Sequence, residues 1–442
     1  TDFMTEARSQ QRPFNTQKFA EGMFRTQNIF TQEINSDFLV RYNREIGTKI
    51  TSNYSFGGSR MNNRYNRDEL RADKLLYPGI FNFANSKNIP VAYPYRSEYA
   101  VNSLYGMLQF AYNNFLFLDV TGRNDWTSTL ASPTSTSNTS FFYPSVNVSA
   151  VLSDAFQMPA YISLLKLRGS WAQVGSGGTT PYRTAYTYVS EPFPSGLSNP
   201  TAIANPTLRS LLTTSLEFGV DLRLFKNRLG LDVSVYQNNT RDDIYNVPID
   251  RASGYSATIL NAGLVQNKGI EIQANGAPLK SKKGLNWNMF GTFSANRNKV
   301  VELADGIDTY VISTGPGSRG SIEARPGGRM GDLYGLGYQR TEDGQIIYNT
   351  LGYPVLSESV KYLGNTMPEW RASIGNEFRY GNFGLSVLFD GQFGGVGYSL
   401  THAVLAEEGK LQKTVPGRYN GIIGEGVVLA SDGKYYPNET VA

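Results

Sequence analysis

The chain has no cysteine and a single histidine, His402, in 442 residues. Disulfide scaffolds, thiolate metal sites and thiol catalysis are therefore excluded, and a His-based triad has only one residue to recruit. Charge of one sign is also lacking. The 41 Lys and Arg against 37 Asp and Glu leave +4, too even for a nucleic-acid binder, which concentrates a basic excess on one face. No apolar run approaches the ~18 residues of a membrane-spanning helix. What is abundant is aromatic and turn-forming sequence: 24 Phe, 28 Tyr and 4 Trp, with 45 Gly and 20 Pro. That mixture points to an all-β chain with many turns. The chain opens on Thr1, with no leader segment, and ends in loop-like sequence, which reads as an interior piece of a longer precursor.

Periodicity supplies the strand reading. Leu216, Phe218, Val220, Leu222 and Leu224 alternate with Ser215, Glu217, Gly219, Asp221 and Arg223. Two residues after Lys226-Asn227, Leu229, Leu231, Val233 and Val235 resume the pattern. A period of two puts one apolar and one polar face on each strand. The same alternation predicts about twelve strands, roughly 29–42, 48–60, 101–112, 115–126, 142–153, 163–174, 213–225, 228–240, 264–277, 285–298, 371–380 and 383–393. Their connections alternate in length. Short ones, several read as two-residue turns (Asn113-Asn114, Lys226-Asn227, Gly381-Asn382), separate long ones at 61–100, 127–141, 175–212, 241–262 and 299–370, and 394–442 trails the last strand. Outer-membrane barrels have short periplasmic turns and long outer loops, and strands of about ten residues suit a tilted crossing. The expected fold is thus a transmembrane antiparallel up-and-down β-barrel, with the apolar row toward lipid. The polar row toward the lumen carries Asp119, Arg123, Asp125, Glu217, Arg223 and Glu377, charges that would need water or an internal plug as partner. The plainer alternative is the solvated face of a soluble sheet.

Several strings then become recognisable. Phe115-Leu-Phe-Leu-Asp-Val-Thr-Gly-Arg-Asn-Asp-Trp-Thr-Ser128, Phe142-Tyr-Pro-Ser-Val146 and Leu165-Lys-Leu-Arg-Gly-Ser-Trp-Ala-Gln-Val-Gly175 resemble successive strand signatures of SusC/RagA-type TonB-dependent transporters. So do Glu217-Phe-Gly-Val-Asp221, Asn261-Ala-Gly-Leu-Val-Gln-Asn-Lys-Gly-Ile-Glu271, Asn296-Arg-Asn-Lys-Val300 and Gly364-Asn-Thr-Met-Pro368. The match runs in the family's order from about residue 100 to 395. The resemblance implies an outer-membrane importer of Bacteroidetes, energised by the TonB-ExbB-ExbD complex through an N-terminal plug region and capped by a SusD-like lipoprotein that captures glycans or peptides. This chain lacks the family's plug and closing strands, and a complete barrel of this kind has about 22 strands. Missing strands on both sides and a separate plug are therefore expected.

No catalytic constellation competes, and neither a cofactor nor a metal is expected. His402 has no flanking motif and reads as a loop histidine. Asp305-Gly-Ile-Asp308 and Asp432-Gly433 lack EF-hand spacing and read as turns. Gly315-Pro-Gly-Ser-Arg-Gly320 has no Lys-Ser/Thr and no helix after it, against a phosphate loop. Trp171 and Trp287 fit the aromatic girdle. Ligand contact is expected from the long loops: Tyr93, Tyr95, Tyr182, Tyr186, Tyr188 and Phe193 offer rings for sugars or peptide side chains, or pack the loops together. Arg319, Arg325 and Arg329 in the longest loop would meet an anionic substrate or form a solvated rim. A passive porin and a secreted structural or adhesive protein are the rival functions.

Overall fold

The computed structural model describes residues 1–15, 19–190, 196–281, 284–315 and 319–442. Nearly all of it is strand. The long strands, in chain order, are β1 (Asp2–Arg12), β2 (Met23–Ile46), β3 (Ile50–Ala72), β4 (Tyr95–Tyr112), β5 (Leu116–Thr127), β6 (Ser140–Val151), β7 (Ile162–Ser176), β8 (Leu211–Leu224), β9 (Leu229–Pro248), β10 (Ala257–Leu279) and β11 (Asn286–Glu302). Four short strands follow, β12 (Tyr310–Thr314), β13 (Ser321–Ala324), β14 (Asp332–Gly335) and β15 (Lys361–Asn365), then the long β16 (Trp370–Tyr380) and β17 (Phe383–Phe393). The chain clusters into two compact units, Thr1–Leu264 and Val265–Ala442, divided within β10.

In the first unit, β1 to β10 stand in sequence order, each beside its chain neighbour. The registers align the apolar rows. Tyr42, Tyr54, Leu108, Val120, Val146, Trp171 and Leu216 lie abreast on seven strands, and so do Ile46, Ile50, Tyr112, Leu116, Ala150, Leu167, Val220 and Val233 on eight. These side chains have no second layer to cover them: Phe38, Phe56 and Phe218 are 51%, 53% and 56% exposed. An apolar belt that broad is intolerable in water and is what lipid requires. On the other face, Asn43, Asn53, Gln109, Asp119, Asn147, Ser170, Glu217 and Tyr236 form an equally continuous polar row.

The second unit repeats the arrangement with the rest of β10, then β11, β16 and β17. Trp287, Phe378 and Leu385 lie abreast, as do Gly291, Ile374 and Phe389. Asn288, Glu377 and Ser386 lie on the opposite row. Trp287 stacks on Phe378 at 5.7 Å and donates its indole N–H to Asn376 at 3.0 Å. The 303–369 connection carries its own four-stranded sheet, β12-β13-β14-β15.

Several expectations need correction. The described residues hold thirteen long strands, not twelve, because β1 pairs with the 23–33 half of β2. Strands β2 and β3 run for 24 and 23 residues. At about 3.3 Å per residue and a tilt near 40° they rise about 55–60 Å, twice the ~30 Å hydrocarbon core. Their far halves, such as Asn62–Asp68, are polar on both faces because both faces meet water, so no alternation marks them. The expected loop 61–100 shrinks accordingly to 73–94, and 241–262 shrinks to 249–256. An eight-residue connection breaks the strict long–short contrast, since 152–161 at the opposite end is longer. The tight turns also differ: Gly381-Asn382 is a two-residue turn with Gly381 at φ 59°, but the other two connections are Asn113-Asn114-Phe115 and Phe225–Arg228. Residues 394–442 are not all loop. They contain a helix, Leu400–Glu407, on which His402 sits, and the short strands Val427–Leu429 and Tyr435–Pro437.

The sidedness of the strands is directly testable with single thiols introduced into these 442 residues, which hold no cysteine of their own, measured against the unsubstituted protein. Tyr188→Cys in the 177–210 connection should react with a membrane-impermeant maleimide on intact cells, and Asn227→Cys should react only after lysis. Labelling of Asn227→Cys on intact cells would reverse or abolish the topology.

Candidate functional site: the polar face and the loop layer

Most of the candidate charges on the polar face find partners within the wall. Asp119 accepts from Gln109 on β4 at 3.1 Å and from Asn147 on β6 at 3.2 Å, its neighbours in register. Arg123 donates to Asp125 at 2.8 Å and to Ser103 at 2.8 Å while lying over the Tyr105 ring; Asp125 also accepts from the Tyr143 hydroxyl at 2.7 Å. Arg168 makes a two-pronged bridge to Asp232, 2.7 and 2.9 Å, with Glu217 3.8 Å away. Arg223 pairs with Asp221 at 3.4 Å. Five of the six lumen candidates, Asp119, Arg123, Asp125, Glu217 and Arg223, thus have partners in the wall itself. They are not left waiting for a plug to neutralise them. Glu377, exposed on β16, has no partner among the described residues. Alternation places Arg168 on the polar row, but only register brings Asp232 of β9 to it across the intervening β8.

At the long-connection end of the first unit the loops pack on one another. Leu130, Leu208 and Ile259 are buried together, with Phe141, Ala202 and Ile244 against them. Ala202–Ile203 adds a short parallel pair to Ala257–Thr258. Arg183 donates to Asn246 at 2.9 Å, and Asn261 ties Arg209 to the Asp242 carbonyl.

The aromatic candidates separate on this layer. Tyr93 is held by Arg71, which donates to its hydroxyl at 2.9 Å and lies over its ring at 4.7 Å. Tyr95 is the first residue of β4, not a loop residue, and packs edge-on to Tyr65 at 5.9 Å. Tyr182 is pinned by its hydroxyl to the Glu98 backbone, accepting from the amide at 3.1 Å. Tyr186 and Tyr188 are 62% and 70% exposed, rings presented to solvent. Phe193 lies outside the described residues.

In the second unit the three candidate arginines of the longest connection, Arg319, Arg325 and Arg329, have different fates. Arg319 forms a two-pronged pair with Glu407, one arm at 3.0 Å, and its guanidinium holds that carboxyl below the usual carboxylate range. Arg325 donates to buried Glu323 at 2.6 and 2.9 Å and stacks over Tyr334 at 4.0 Å. Neither is free to meet a ligand without breaking an ion pair. Arg329 is different. Its Nε and one Nη are shut off from solvent and find no hydrogen-bond partner among the described residues.

An antiparallel sheet, one face apolar and bare and the other a self-satisfied polar wall, with elaborate connections at one end, defines a wall segment of a large outer-membrane β-barrel. Residues 5–420 match the model of the TonB dependent receptor-like β-barrel, and the chain belongs to that family. The family is one of the bacterial outer membrane. The chain is 27% identical over 331 residues to TonB-dependent receptor P3 of Formosa agariphila, covering 68% of this chain and 32% of that protein. Over 406 residues it is 25% identical to TonB-dependent receptor P26 of the same organism, covering 84% of this chain and 40% of the other. The RagAB peptide transporter structure superimposes with a TM-score of 0.70 at 20% identity, over 88% of this chain and 44% of the other. The chain thus spans less than half the length of each of these proteins.

Proposed function

We propose that the protein of which this chain forms barrel wall is an outer-membrane active importer of oligomeric nutrients, glycans or peptides. In this reading it draws energy from TonB and works with a SusD-like surface lipoprotein. The supporting observation is the joint one of family membership and a polar face on which five of the six candidate charges have partners in the wall itself. A wall that needs no counter-charges from a moving part can line a passage through which a plug shifts and an oligomer slides. One solved structure with this fold is named as a peptide transporter, which makes peptides one of the two substrate classes to test first.

The experiment is uptake. Cells carrying the whole gene should accumulate a fluorescent oligopeptide or oligosaccharide pool that deletion cells do not, and a protonophore or loss of TonB should abolish the difference. Uptake that survives both treatments would move the passive porin reading ahead.

A further inference from the structure

The lipid face of the first unit is not evenly filled. Two adjoining recesses cross β2, β3 and β4 toward the long-connection end, about 560 and 440 Å³ in volume. In the one nearer the short turns, register puts Phe38, Gly58 and Leu104 abreast, with Arg60, Asn102 and Trp126 abreast one step further out. Asp37, Ser59 and Ser103 border it as well but alternate to the polar face. The floor is low because β3 has glycine there. A Cβ on Gly58 would lie 2.6 Å from the Phe38 ring and 3.0 Å from Leu104, so those two side chains close over the β3 backbone. The second recess continues the same face outward through Asn62, then Gln32, Arg64 and Glu98.

Height along the strands makes this a boundary. Ile50 and Leu116 lie abreast at the short-turn end, and Arg60 and Trp126 each follow ten residues later. At about 3.3 Å per residue and a tilt near 40°, ten residues rise about 25 Å, the height of a barrel's apolar band. Arg60 and Trp126 thus stand where hydrocarbon gives way to headgroups, the level at which an indole settles. Arg60 is exposed and donates from Nε to the Asn62 side-chain oxygen at 3.4 Å, with no ion-pair partner among the described residues. The one carboxylate lining the outer recess, Glu98, already bridges Arg64 at 3.2 Å. Gln32 and Asn62 carry side-chain amides that donate no hydrogen bond among the described residues.

We propose that these recesses form a site for a phosphorylated glycolipid of the membrane leaflet at the long-connection end. An acyl chain lies on Phe38 and Leu104, a phosphate on Arg60, and the sugar head against Gln32 and Asn62. The occupant follows from charge complementarity at Arg60 and from the order of surfaces. They run apolar, then cationic, then uncharged and hydrogen-bonding, as such a lipid does from tail to head. A glycerophospholipid matches the first two and brings only a short head to the third. The site is on the wall's lipid side, so it is independent of what the protein transports.

The test uses the purified full-length protein in detergent, with bound lipid counted by native mass spectrometry. The probes are monophosphoryl lipid A, the same lipid after phosphate removal, and phosphatidylglycerol. Wild type should bind monophosphoryl lipid A about tenfold or more tighter than either of the others, the worth of one charge-assisted contact or two neutral hydrogen bonds. Arg60→Gln should erase the preference for the phosphorylated form at an unchanged melting temperature. Arg60→Lys should keep most of it, because an ammonium still binds phosphate as a point charge. Arg44→Gln, on the same face near the short turn, should bind as wild type does. Equal binding of the phosphorylated and dephosphorylated lipid by wild type overturns the proposal, and so does an undiminished preference in Arg60→Gln. Phosphatidylglycerol bound as tightly as lipid A overturns it too, and would leave the recesses to ordinary bilayer lipid. The wild-type comparison stands whether or not the variants fold.

Discussion

Truncating Leu208 to alanine should destabilise the packed loop layer by about 2–5 kcal/mol, the cost of a fully buried leucine whose site cannot collapse. Leu208 is 0% exposed and meets Leu130 and Ile259, which come from other connections or from a strand end. The cluster holds only six apolar residues, so no larger core absorbs the loss. Because the layer sits on strands that pair independently of it, the expected result is local opening, with the wall intact. Amide exchange around Asn205–Leu208 should accelerate by roughly 30-fold or more, since 1.4 kcal/mol is a factor of ten. Exchange in β5 and β8 should change little. Thr134→Ala, on an exposed loop position, is the control. Unchanged exchange in Leu208→Ala would mean the loops do not fold as one layer.

Arginine on the apolar row should cost the wall a similar amount. Val220 lies between Leu167 and Val233 in register, in the middle of the belt. Val220→Arg should lower stability in bilayers by about 2–4 kcal/mol, the range for a midplane arginine on a barrel's lipid face. Val387→Arg in the second unit should behave alike. Ser386→Arg, on the polar row beside Glu377, should cost much less. Two other polar-row positions that sequence alone marks as tolerant are not. A side chain at Gly219 would begin 2.4 Å from the Arg168 guanidinium, and Asp232→Arg would place a like charge where Arg168 now has its partner. Equal losses at Val220 and Ser386 would show that the two rows do not divide lipid from lumen.

The period-two alternation was enough to place most strands and to tell the lipid row from the polar row, because near the bilayer each face of a strand meets a different solvent. It failed where that difference ends. Strand β1 and the far halves of β2 and β3 have water on both sides, and hydrogen-bonded pairing there leaves no hydrophobic signature. The same limit moved Tyr95 from an expected loop to the start of a strand. The motif series from Phe115 to Pro368 identified the family without any geometry, since those strings are consecutive strand signatures in a fixed order.

By itself, then, the sequence determined the class of fold, the face that residues of the alternating strands take and the family, all of which depend on local order along the chain. Tertiary structure decided which charges are spent. Asp119 and Arg168 look alike in sequence to charges awaiting a partner, and register across two or three strands supplies one to each, whereas Arg123 finds Asp125 two residues along its own strand. Arg319, Arg325 and Arg329 look alike in the same loop, yet two are claimed by Glu407 and Glu323 and one is not. Pairing across strands and between folded loops is a matter of distance in space, and nothing in a one-dimensional pattern fixes that distance.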